Sequence, residues 1–73
     1  MFAIKAGEVR PGKCFVGRSD GRVRRVISVR DGVVLYELRR GKPRRQTWEL
    51  GAEAAMEAFV ADLAKEVGSD YLA

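Results

Sequence analysis

The chain has 73 residues, 47% of them hydrophobic and 33% charged, with a formal net charge of +4. That length allows one domain with a single small core, so net stability of only a few kcal/mol is expected unless dimerisation adds to it. With no histidine and one cysteine, Cys14, the composition excludes an internal disulfide and removes the usual residues of nucleophilic and metal chemistry.

The charge is unevenly placed. Residues 1–50 hold thirteen Lys/Arg against five Asp/Glu, a net of +8, and residues 51–73 hold one Lys against five acids, a net of −4. Ten of the fourteen basic residues are arginine, whose planar fork suits phosphate or carboxylate. The lone cysteine fits a reducing compartment, and no apolar stretch is long enough for a signal peptide or a bilayer span, so a cytoplasmic protein is expected.

The elements are read in chain order. Phe2–Lys5 reads as a short strand or a lead-in. Arg10–Lys13 is a turn of type II, with Pro11 setting φ and Gly12 supplying a positive φ. Strands are expected at about 13–18, 22–30 and 33–40, separated by Asp20-Gly21 and Asp31-Gly32, each a signal for a two-residue hairpin turn. A third turn at Arg40–Arg44, with Gly41 and Pro43, leads to a fourth strand at about 44–49.

In the third strand Val34, Tyr36 and Leu38 share a face. In the second, Val23, Ile27 and Val29 share a face with Arg25 while Val26 falls opposite, and a bulge near Arg24-Arg25 reconciles them. In the fourth, Trp48 points inward, and Arg45, Thr47 and Glu49 outward. Met56, Phe59, Val60, Leu63 and Val67 then form an amphipathic stripe, so a helix is expected over about 52–67, with Gly68 ending it and a tail over 68–73. The expected fold is mainly β with one C-terminal helix: a small SH3-like antiparallel barrel of four to five strands, capped or flanked by the helix. An open sheet with a helix is the second choice.

The order V-R-P-G-K-x-F, then G-R-V-R-R-V-I-S-V, then D-G-V-V-L-Y, then T-W resembles short SH3-like barrel proteins of bacterial viruses and mobile gene cassettes. The resemblance covers about residues 9–50. It implies a fold and a mobile-element origin rather than an activity, and the acidic helix after Leu50 lies outside it.

Catalytic chemistry finds little support. Cys14 has no histidine as its base, and a small buried residue beside Phe15 is the plainer reading. Asp20 and Asp31 are explained by their turns, and Glu53, Glu57 and Glu66 by a solvated helix face. The expectation is no enzyme, no metal and no cofactor. The arginines carry what function the sequence suggests. Arg22, Arg24 and Arg30 share a parity on strand two, and Arg39 and Arg45 lie outward on strands three and four. Arg40, Lys42 and Arg44 crowd the third turn. Together these eight form one candidate patch of strand face plus hairpin tip for nucleic-acid phosphates. The competing explanation is charge that keeps an exposed strand from aggregating. The alternative function is a protein-interaction module that modulates a host complex, its basic sheet meeting an acidic protein surface. A homodimer is compatible with either function, and no membrane partner is expected.

Overall fold

A computed structural model describes residues 4–40, 47–68 and 71. After a single 3-10 turn at Ala6–Glu8, the chain forms β1 (Cys14–Gly17), β2 (Val23–Arg30), β3 (Val33–Arg40) and β4 (Thr47–Ala55). A short helix α1 (Met56–Ala61) follows, then β5 (Leu63–Val67). All strand pairings are antiparallel and give one sheet in the order β4-β3-β2-β1-β5. The meander expected from the sequence is present. The sheet is not closed into a barrel among the described residues, and β4 and β5 are its two edges.

The turns follow from local chemistry. Gly12 has φ +89°, and the Lys13 amide donates to the Arg10 carbonyl at 3.1 Å, as a type II turn requires. Asp31 and Gly32 have φ +52° and +73°, the two left-handed residues of a tight hairpin. Asp20-Gly21 differs from the two-residue turn expected. The loop closes between Gly17 and Arg22, with the Gly17 amide donating to the Arg22 carbonyl at 2.9 Å, and within it only Gly21 has a positive φ. The Asp20 carboxylate accepts the Arg22 amide at 2.9 Å, which stabilises the wider loop.

Three irregularities interrupt the sheet, one of them a β1–β5 register shift between Val16 and Gly17. The β2–β3 register shifts between Val26 and Ser28, so the bulge falls at Ile27 and not at Arg24-Arg25. The β3–β4 register shifts between Tyr36 and Glu37, leaving Gly51 unpaired on β4. A Cβ at Gly51 would stand 2.8 Å from the Tyr36 ring and 2.9 Å from its carbonyl oxygen, so only glycine fits there.

The C-terminal region departs most from expectation. The helix expected over 52–67 is only the six residues Met56–Ala61, flanked by strand on both sides. Met56, Phe59 and Val60 keep their helical stripe against the sheet. Ala52–Ala55 instead continue β4 along β3, and β5 covers the outer edge of β1. Alanine favours helix by only a few tenths of a kcal/mol per residue, and saturating two strand edges with hydrogen bonds outweighs that. At the other terminus, Ile4 and Lys5 are not strand, and Phe2 lies outside the described residues.

The sheet has two unlike faces. One is covered by α1 and the 3-10 turn and buries Val9, Phe15, Val26, Val34, Phe59 and Leu63. Phe15 meets Phe59 edge-on at 6.4 Å, and Tyr36 lies 5.1 Å from Phe59. Among the described residues no helix covers the other face. There Cys14, Val16 and Val23 form a second small cluster, with Trp48, Val67 and Tyr71 packed against it.

Candidate nucleic-acid interface

The arginines of β2 divide by face and by depth. Arg24 lies opposite Phe15 and Leu38 on the helix side and is only 6% exposed. Its Nη2 donates to both carboxylate oxygens of Asp20 at 2.8 Å, and its Nη1 donates to Asp62 Oδ2 at 3.2 Å. The guanidinium also stands 5.8 Å from the centre of the Tyr36 ring. Gly17 makes room for it, since a Cβ there would come within 2.2 Å of Arg24 Nη2 and 2.7 Å of Asp20 Oδ1.

Asp62 is held from the other side by Ser19. The Ser19 hydroxyl donates to Oδ2 at 2.9 Å and its amide donates to Oδ1 at 3.1 Å. The hydroxyl bond above all, with the Ser19 amide and Arg24 adding to it, holds the Asp62 carboxyl below its ordinary range against the opposing effect of burial. This network ties the β1–β2 loop to the C-terminus of α1. It also accounts for Arg24 as a structural cation, correcting its expected place on a phosphate-contacting face.

Arg25 faces the open side. Its Nε and Nη2 both donate to Glu37 Oε1, at 2.9 and 2.7 Å, across a direct β2–β3 pair. The same guanidinium lies 4.3 Å over the Trp48 ring. Trp48, expected inward, is half-buried and belongs to this open face rather than to the main core. Arg39, expected on an exposed outward face, is only 7% exposed. It is the direct cross-strand partner of Trp48 between β3 and β4. Burial pushes the neighbouring Cys14 thiol up, with Arg25 and Arg39 opposing.

The remaining predicted residues separate along the strand axis. Arg22 is exposed at the β1–β2 loop. Arg40 closes β3 opposite Thr47, at the same end of the sheet, because alternate turns of an antiparallel meander fall at one end. Lys42, Arg44 and Arg45 lie outside the described residues, in the segment joining Arg40 to Thr47. Arg30 is at the opposite end, about 25 Å away along β2. It lines a shallow cleft with Ser28, Val33, Leu35 and the acidic Asp31 and Glu53. The structure thus brings Arg22 to the end where Arg40 finishes its strand, sets Arg30 apart, and turns Arg24 and Arg39 inward.

The structure also adds Arg18, which the strand-parity argument missed. It is exposed in the same loop as Arg22, and its Nη2 reaches the Leu63 carbonyl at 3.4 Å. Its position inside Gly-Arg-Ser-Asp-Gly-Arg was the available signal, since a cation in a turn is freer than one on a paired strand. Among the described residues no group of three or more His, Cys, Asp or Glu is placed to hold a metal, and no helix is long and apolar enough to cross a membrane. Comparison with family models, curated proteins and solved structures found no match.

Proposed function

We propose that the protein is a small non-enzymatic nucleic-acid-binding domain that meets phosphates with one end of its sheet. The observation that carries this reading is the exposure of Arg18 and Arg22 at the end where β3 leaves and β4 returns. In the sequence, the segment between those two strand ends is Gly-Lys-Pro-Arg-Arg-Gln, which carries three further cations. Asp20 and Asp62 are both engaged by Arg24, and with Arg18 and Arg22 the three arginines outnumber the two acids by one. Such a surface reads charge and shape rather than sequence. The reading includes the SH3-like resemblance: a four-strand meander with a final strand returning beside the first supports a barrel of that kind opened along one seam.

Fluorescence anisotropy with labelled duplex DNA and single-stranded RNA, at low and near-physiological salt, tests this. Affinity that falls log-linearly with salt is expected, with a slope that counts the cations engaged. No binding at low salt would remove the reading. The second reading, a module that docks on an acidic host protein, draws on the open face, where Leu50 is 74% exposed. It predicts no salt-dependent binding of nucleic acid and a loss of the protein complex when Leu50 is changed to a charged residue.

A further inference from the structure

Arg39 is the anomaly of the open face. Its Nη1 is sealed from solvent and has no hydrogen-bond partner. The ion pairs among the described residues join Lys13, Arg24 and Arg25 to acids, and none involves Arg39. A sealed guanidinium nitrogen with no partner among the described residues is costly, and such an atom suits an incoming anion.

Its surroundings suggest which anion. Trp48 starts from the edge strand β4, pairs directly with Arg39 on β3, and reaches the Arg25 guanidinium on β2. The indole therefore crosses β3 on the face that carries Arg39. It sits one residue from Thr47, at the basic end of the sheet. A half-buried indole backed by a guanidinium is a stacking platform for a flat aromatic ring.

We propose that Trp48 and Arg39 form a nucleotide subsite selective for single-stranded nucleic acid, a base stacking on the indole and its phosphate meeting the Arg39 guanidinium; this rests on the phosphate-binding reading above. Arg39 Nη1 is sealed in the free protein, so a base that engages the neighbouring indole must uncover it. A duplex keeps its bases stacked on one another and offers only phosphates, so it engages the basic end and not this subsite.

Trp48 is the chain's only tryptophan, so its emission reports on the subsite alone. The test titrates the full chain with a short oligothymidylate and with a duplex of matched length, following emission and anisotropy together. Quenching by the single strand only, with about tenfold tighter binding than the duplex, is expected from the worth of one stacked base. Trp48→Leu and Arg39→Gln should each erase that margin while leaving duplex binding and its salt slope in place. Arg39→Gln should also leave thermal stability equal or higher, because it removes an uncompensated buried charge. Equal affinity for both ligands with unchanged emission would overturn the subsite and leave the phosphate reading standing. No binding of either ligand at low salt would overturn both. A less stable Arg39→Gln that keeps the single-strand margin would make Arg39 a packing residue and overturn its role. Emission of the unaltered chain decides the question even if Trp48→Leu fails to fold.

Discussion

The helix-covered face and the open face each bury an arginine, and they treat it differently. Under the helix, Arg24 is surrounded by its own chain's carboxylates, Asp20 and Asp62, and Gly17 clears the space above it. On the open face Arg39 is buried to the same degree but has no such partner among the described residues. Both arginines keep one sealed nitrogen without a hydrogen bond, Arg24 Nε and Arg39 Nη1, but among the described residues only Arg24 has carboxylates paired with its guanidinium. Burial of a charge is thus no guide to its role until its counter-charge is found.

The largest effects should come from the covered face. Phe15 is fully buried at the centre of the core, and Phe15→Ala should cost about 3–5 kcal/mol, enough to unfold so small a domain. Arg24→Glu should be of similar size, about 3–5 kcal/mol, because it places a carboxylate against Asp20 and Asp62. Urea denaturation measures both. A native-like midpoint for Arg24→Glu would erase the contrast between the faces.

Gly17→Ala should cost about 1–3 kcal/mol, since the new methyl displaces the paired guanidinium of Arg24. Full stability would mean that the ion triad relaxes freely. At the end of the sheet the sign of the comparison reverses. Arg18→Gln with Arg22→Gln, which adds no carboxylate beside Asp20 and Asp62, should leave the unfolding midpoint within about 1 kcal/mol of the parent. The same pair should lower the duplex salt slope by roughly 0.9 for each phosphate that is no longer neutralised. Unchanged binding would move the phosphate surface elsewhere.

The smallest effect is one of pH. The Asp62 carboxyl is held below its ordinary value of 3.8 in the folded state. Its contribution is therefore fully present above that value and is lost as pH falls through the lower, folded one. Thermal unfolding should show stability declining in this acid range. Asp62→Asn should be less stable at neutral pH and lose less on acidification. Parallel acid limbs for the two proteins would show that Asp62 is not a source of the decline.

Much of the fold was legible in the sequence because it is written in local chemistry. Pro11-Gly12 and Asp31-Gly32 demand positive φ where glycine or aspartate stands, and alternation places Val34 and Tyr36 on one face. The candidate site was legible only as composition. Parity put Arg22 and Arg24 on one face, yet the first is exposed and the second is enclosed by residues four positions before it and thirty-eight after it. Nothing in a strand's own pattern reports a carboxylate that far along the chain.

The sequence by itself determined the basic first part, the meander and its tight turns, and the helical stripe of Met56, Phe59 and Val60, since each depends on residues a few positions apart. The tertiary structure alone decided that the alanines after Gly51 continue a strand and that Val67 pairs with Cys14. It also decided which arginines are structural and which face water. Those outcomes depend on unpaired strand edges and on counter-charges brought in from distant segments, and both exist only once the sheet is assembled.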